Sequence, residues 1–242
     1  MQPEEDPDIR WVAELAGVPE AKAKRAVEAA ASERALFRHL DRMHRLEGRS
    51  SYIEIDAPLE LYALVRLRKP SHVVEVGVSS GVSSAYLLEA MDREGGGTLH
   101  SVDLPKKDTR PANGGRRRNP SWSLPTGRSS GWAVPFPLLR RWDLRLGDKK
   151  AVLPLLGETL PSVELFVYDV PHSEEQAALD FAAIDGLLPV GGIAIADHGP
   201  GGGLCAPLRD WASARSAKPL RRTDLGLHGF RAGARRRPAR RE

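Results

Sequence analysis

The sequence predicts an α/β fold, a doubly wound and mostly parallel sheet preceded by a helical cap, and three observations carry that prediction. Residues 72–84 read as a buried strand, a glycine turn and the start of a helix. From residue 97 to 197, strand-like apolar runs alternate with helical stretches, the β-α repeat of a parallel sheet. Ile193-Ala194-Ile195-Ala196-Asp197 is apolar at successive positions, as expected of a strand covered on both faces.

Each element has its own signals. Residues 20–46 form a long helical stretch with Val27, Leu36, Phe37, Leu40 and Met43 roughly on one face. This cap covers an acceptor pocket or pairs with a second subunit as a homodimer; both remain open. Asp56-Ala57-Pro58 reads as a cap and early-turn proline opening a helix through Leu67. In the first strand Val73, Val74 and Val76 are β-branched, Gly77 and Gly81 free the backbone, and Ala85, Leu87 and Leu88 begin a helix. Such a turn aims N–H groups at a bound anion. A second strand at 97–104 ends at Asp103, where an acid can accept hydrogen bonds from a ribose diol.

Residues 105–137 lack any amphipathic period and are rich in Gly, Pro, Ser and Arg. Loops this long inside compact domains are functional or disordered. Trp122, Trp132 and Phe136 favour docking, and the segment reads as a lid over an acceptor pocket. Arg116-Arg117-Arg118 would meet an anionic acceptor or face water. A third strand is expected at 142–146, then Gly147-Asp148 opening a helix through Leu156, a fourth strand at 163–170 and a helix over 173–188. Ser173 and Gln176 form a capping box there, with Phe181, Ile184 and Leu188 on one face. Pro189-Val190-Gly191-Gly192 turns the chain into the fifth strand.

Composition narrows the class. A chain of 242 residues at 41% hydrophobic buries a sizeable core, and no apolar run approaches the ~18 residues of a membrane span. The N-terminus is acidic and polar, without a secretory pattern, and Cys205 is the single cysteine, so no disulfide framework exists and cytoplasm is the expected compartment. Six Arg against one Glu in residues 231–242, and nine basic against one acidic side chain in 105–141, leave the remainder of this +4 chain at −9. The body is acidic and two segments are basic. The Arg-rich tail, 233–242, reads most simply as a disordered, solvated end.

The glycine spacing separates cofactor classes. Dinucleotide folds use G-x-G-x-x-G, whereas three residues separate Gly77 from Gly81. Glu75-x-Gly77-x-x-x-Gly81 resembles the first motif of the class I S-adenosylmethionine-dependent methyltransferases, and Asp103, Gly147-Asp148, Asp169 and Gly191-Gly192 follow in that family's order over residues 57–232. The resemblance implies a Rossmann-like sheet of about seven strands, with 1–56 as the cap, 57–232 as the methyltransferase domain and 105–141 as a basic insertion. It also implies cofactor contacts from Glu75, Gly77, Ser79, Gly81, Ser83, Asp103, Asp148 and Asp169, with Asp103 holding the ribose and Asp148 the adenine amine.

The chemistry turns on Asp169, His172, Asp197 and His198. Asp169 and Asp197 end adjacent expected strands, an arrangement that resembles the catechol-type O-methyltransferases, whose magnesium site matches Asp169, Asp197 and His198 here. Imidazole in place of an amide oxygen favours Mn, Fe or Zn over Mg. Alternatively, Asp197 and His198 simply terminate a strand. Catechol-type enzymes use a lysine where this chain reads Asp169-Val170-Pro171-His172-Ser173, a segment resembling a bacterial small-molecule O-methyltransferase branch of natural-product and sugar tailoring. That resemblance makes His172 the catalytic base, with Asp169 orienting donor and acceptor; a histidine at a helix start also bonds nearby backbone.

The expected function is therefore S-adenosylmethionine-dependent O-methylation of a small-molecule hydroxyl. An RNA methyltransferase using the Arg-rich segments, a catalytically silent cofactor binder and a nicotinamide dehydrogenase are the alternatives. No Asn-Pro-Pro-aromatic tetrapeptide of amino-methylating nucleic-acid enzymes is present.

Overall fold

A computed structural model describes residues 6–47, 58–104, 124–125, 127–170, 173–197, 203–222 and 227–235. Four helices come first: α1 (Pro7–Ala16), α2 (Glu20–Ala31), α3 (Arg34–Leu46) and α4 (Pro58–Arg68). The sheet region follows as β1 (His72–Val76), α5 (Val82–Glu94), β2 (Thr98–Asp103), a 3-10 turn (Phe136–Arg141), β3 (Trp142–Leu146), α6 (Lys149–Thr159) and β4 (Leu165–Tyr168). It closes with α7 (Glu174–Asp185), β5 (Ile193–Asp197), α8 (Ala206–Ala214), β6 (Pro219–Arg222) and β7 (Leu227–Arg231).

The seven strands lie in the order β3-β2-β1-β4-β5-β7-β6. β1 to β5 are mutually parallel, and β7 runs antiparallel to both β5 and β6. The expected mostly parallel, doubly wound sheet is what the chain forms. Strand order reverses between β1 and β4, and in open α/β sheets ligands bind beyond the carboxyl ends of the strands at such a switch point.

Alternate residues of each strand feed two cores. Val73, Leu99, Leu165, Val167, Ile193 and Ile195 face the layer built from α1 to α5. Val74, Val76, Val102, Phe166, Tyr168 and Phe230 face α6, α7 and α8, where Phe181 meets Phe166 and Trp211 edge-on. Burial on both faces explains why β1, β4 and β5 lack the polar alternation of a half-exposed strand. The N-terminal helices share the first core with the sheet, so they are part of its packing and not an appended layer. Among the described residues no helix is long and apolar enough to cross a membrane.

The structure alters several expected bounds. Residues 20–46 are two helices, broken at Ser32-Glu33: Ser32 Oγ donates back to the Ala29 carbonyl at 2.7 Å, and the Glu33 carboxylate is drawn to Tyr62 Oη at 2.8 Å and Arg93 at 2.7 Å. β4 stops at Tyr168, not 170, because the loop after β1 crosses there. A Cβ on Gly77, whose φ is +96°, would lie 1.9 Å from the Asp169 carbonyl oxygen. α7 ends at Asp185, not 188, and only half of its capping box forms: Ser173 Oγ accepts from Gln176 N at 3.2 Å, while the Gln176 amide reaches Asp180 instead. Asp56 and Ala57 lie outside the described residues. α1, α8, β6 and β7 carried no sequence expectation; α1 is capped by Asp6, which accepts from Asp8 N at 3.0 Å, and is stopped by Gly17 at φ +66°.

α1 is anchored across the sheet. Trp11 Nε1 donates to the Leu220 carbonyl at 3.0 Å, and the Arg222 guanidinium grips the Asp8 carboxylate with two bonds of 2.7 and 2.8 Å. Arg222 Nη1 also lies 2.8 Å from Glu60 Oε1, off the hydrogen-bonding direction, so that contact is an ion pair. Burial pushes the Glu60 carboxyl upward and Arg222 pulls it back. Removing the guanidinium would leave a buried carboxylate uncompensated. Arg222→Met is therefore expected to cost about 3 kcal/mol of stability at neutral pH. The deficit, read from urea melts, should shrink at acid pH as Glu60 takes a proton; a deficit independent of pH would contradict this role.

Candidate functional site

The site is built upward from Glu75. It is fully buried on β1, and three hydroxyls converge on its carboxylate: Ser83 Oγ and Ser84 Oγ of α5, each at 2.6 Å, and Ser101 Oγ of β2 at 2.7 Å. Trp142 Nε1 of β3 donates to Ser101 Oγ at 2.8 Å, extending the network to the edge strand. Burial pushes the Glu75 carboxyl up, the three hydroxyls draw it down, nearby Asp103 raises it further, and the net direction is upward. The structure thus places Glu75 against partners from the protein itself. Its oxygens face protein hydroxyls beneath the glycine loop, so it shapes the loop from below, and the Ser83 hydroxyl is turned inward with it.

Above this network the loop from Gly77 to Gly81 is closed by its own bonds. Gly77 N donates to Val102 O at 2.9 Å and Gly81 N to Val78 O at 2.8 Å, while Ser79 takes a left-handed φ of +50°. Ser79 N points at Asp103 Oδ2, 3.1 Å away. Gly81 begins α5 at φ +89° with no side chain capping the helix, so the first-turn N–H groups of this helix lack the usual cap acceptor. Positive partial charge at a helix N-terminus suits a carboxylate.

Asp103 terminates β2 facing this loop. Its Oδ2 also accepts from Ser130 Oγ at 2.6 Å, and its Oδ1 from Leu104 N at 3.0 Å. Gly147 N donates to the Asp103 carbonyl at 2.9 Å, which sets Asp148 one strand over; Asp148 is exposed and caps α6 through Lys150 N at 2.9 Å. Asp169 is exposed beside Gly77, its N–H bonded to Val76 O at 2.9 Å. Tyr168 pairs with Ala196 in the β4–β5 register, so Asp169 and Asp197 occupy the next position on neighbouring strands. His172 and His198 lie outside the described residues, and among the described residues no group of three or more metal-ligating side chains is assembled.

Three contributors have partners that the sequence did not indicate. The first is residues 127–134, which lie on the glycine loop: Gly131 N donates to Ser79 O at 2.8 Å and Ala133 N to Ser80 O at 3.0 Å. A Cβ on Gly81 would meet Val134 at 2.6 Å and Gly131 at 2.8 Å, so this glycine makes room for the protein's own chain. The second is α3, where His39 Nε2 lies 3.1 Å from the Ala133 carbonyl and Glu47 pairs with Arg128 at 2.5 Å. Trp132 sits 5.1 Å from the His44 ring, with Arg128 5.5 Å from its indole; of the expected aromatic anchors Phe136 is exposed and Trp122 lies outside the described residues. The third is a buried cluster in which Lys149 Nζ and Tyr168 Oη both donate to Asp180 Oδ2, at 2.5 and 2.6 Å. Burial and Asp180 drive the Tyr168 hydroxyl's pKa upward. An acid on the apolar face that Ala177, Phe181 and Ile184 give α7 is the signal that was available for it.

Two substitutions test the Glu75 network. Glu75→Ala leaves three buried hydroxyls without their acceptor and should cost about 3 kcal/mol or more. For the pH sign, a carboxyl raised on folding holds its proton more tightly in the native state, so its contribution to stability falls as pH rises from the ordinary glutamate value toward the folded one. Relative to Glu75→Gln, the wild-type protein should therefore lose stability across that interval in denaturant titrations. Equal pH slopes would contradict the assignment.

Comparison with known proteins gives a family and a fold. A family model described as a methyltransferase domain matches residues 74–198. No curated protein matches the sequence. Among solved structures, the O-methyltransferase TomG of Streptomyces achromogenes, involved in tomaymycin synthesis and bound to S-adenosylmethionine, is 14% identical with a TM-score of 0.54, covering 82% of this chain and 90% of its own. The S-adenosylhomocysteine-bound methyltransferase PaMTH1 of Podospora anserina is 17% identical with a TM-score of 0.51, covering 82% and 87%. A provisionally named O-methyltransferase of Klebsiella pneumoniae gives 14%, 0.54, 82% and 90%. At these identities the likeness is one of fold.

Proposed function

The chain belongs to the methyltransferase-domain family, and from that membership we propose that it transfers a methyl group from S-adenosylmethionine to the hydroxyl oxygen of a small molecule. One observation carries the reading: Asp103 ends β2 against a glycine loop that leads into an uncapped helix N-terminus. An acid and a helix N-terminus on either side of one loop suit the two ends of a nucleoside bearing an amino acid. Asp103 holds the ribose hydroxyls, the α5 N-terminus receives the carboxylate beside Ser79 and Ser83, Asp148 accepts from the adenine amine, and Asp169 faces the methyl donor. Gly77 and Gly81 shape the loop, and Glu75 supports it. The small-molecule acceptor and the O-linkage draw support from the neighbours of similar fold, TomG above all.

S-adenosylmethionine supplies an electrophilic sulfonium methyl, which passes to the acceptor oxygen as S-adenosylhomocysteine is released. The protein's part is positioning, which in well-aligned systems accounts for about 7–11 kcal/mol of barrier, and removal of the hydroxyl proton. His172 is the proposed base, near neutral pH an imidazole able to take that proton. Asp169, Asp197 and His198 make a donor set of two carboxylates and an imidazole, which suits Mn, Fe or Zn better than Mg. A divalent ion held there would lower the acceptor hydroxyl's pKa and fix its oxygen.

Calorimetry with S-adenosylhomocysteine is the direct test. Asp103→Ala should weaken binding about tenfold or more, since a bond to a charged group is lost. His172→Ala should leave affinity nearly unchanged and slow turnover about 100-fold or more. Unaltered affinity in Asp103→Ala overturns the cofactor site, and unaltered turnover in His172→Ala overturns the base.

A further inference from the structure

We infer that Ser130, carried into the site by the 105–141 insertion, is a positioning residue that sets the orientation of the Asp103 carboxylate for the cofactor's sugar. The inference rests on the reading of Asp103 as the ribose-holding acid and adds a residue that its strand and loop do not contain.

A carboxylate on an aspartate rotates broadly about its last bond, so an acid meant to receive a diol needs something to fix its plane. Here two donors converge on a single oxygen: Ser130 Oγ at 2.6 Å and Ser79 N at 3.1 Å both reach Oδ2. Among the described residues, Oδ1 receives only Leu104 N, at 3.0 Å. A carboxylate offers about four acceptor positions, so the opening for a ligand hydroxyl is on Oδ1. The Ser130 bond is the shorter of the two on Oδ2 and is sheltered from water, its residue being only 5% exposed.

Ser130 reaches this place through an unusual backbone. Gly131 follows it at φ +73°, and a Cβ there would lie 2.0 Å from the Trp142 ring. Gly131 N and Ala133 N then bind the glycine loop, while Arg128 and the Ala133 carbonyl bind Glu47 and His39 of α3. The hydroxyl is thus held from both sides, by the loop that Glu75 supports and by the N-terminal helices. The bond from Ser130 to Asp103 joins these two frames at the acid that holds the sugar.

The test uses the full-length protein and two probes, S-adenosylhomocysteine and its 2′,3′-dideoxy analogue. Ser130→Ala should weaken binding of the first about five- to tenfold and leave the second within twofold. In an Asp103→Asn background the same substitution should have almost no further effect, because the two residues act as one unit. An equal loss for both probes would make Ser130 merely structural, and no loss for either would also overturn the inference. Should Asp103→Asn alone leave affinity intact, the assignment of the sugar site itself fails and Ser130 falls with it.

Discussion

A buried carboxylate with three serine hydroxyls on it is the constraint around which this protein's centre is arranged. Taking the Glu75 charge out of water costs several kcal/mol, and hydrogen bonds to a charged group contribute about 1.5–3 kcal/mol each. One hydroxyl would not offset the desolvation; three bring it near balance. The set therefore works only when β1, β2 and the first turn of α5 are all in place, with Trp142 of β3 adding to it through Ser101. What this arrangement secures is geometry. The loop from Gly77 to Gly81 is tied below to Glu75 and sideways to Asp103, so its N–H groups and the start of α5 keep a fixed relation to the end of β2.

On that base the remaining parts of the site come from distant stretches of chain. Residues 127–134 lie over the loop and occupy the space that Gly81 leaves open, and α3 braces them from the other side. The N-terminal helices, packed into the same core as α4 and α5, thereby bear on the mouth of the sheet through residues 127–134. A glycine-rich turn that in isolation suggests room for a ligand is here partly room for the protein itself. Cofactor affinity and the packing of the N-terminal region should accordingly be linked properties of this fold.

Much of the fold was legible because the sheet is buried on both faces, which leaves an unmistakable apolar mark: β5 spans the expected five residues without change. What was not legible depended on partners far along the chain. The local signal for the break at Ser32-Glu33 is slight, one serine bonding back to Ala29, and the stronger pull comes from Tyr62 on α4 and Arg93 on α5. β6 is short and basic, Pro219-Leu220-Arg221-Arg222, and its strand character comes from β7 beside it and from the Arg222 contacts to Asp8 and Glu60. In the site, Asp103 stood out as an acid at a strand end, a positional rule that needs no tertiary knowledge, while Asp148 was reached only through the family resemblance. Ser130 had no such signature, because an ordinary Ser-Gly pair in a loop acquires meaning only when it docks on a residue 27 positions earlier.

Where the nucleoside lies is decided by a crystal structure of the protein with S-adenosylhomocysteine. The ribose hydroxyls are expected on Asp103 Oδ1, with Ser130 still bonded to Oδ2 and the amino-acid carboxylate at the start of α5. A nucleoside bound away from the carboxyl ends of β1 and β2, or a sugar that does not touch Asp103, would contradict this placement.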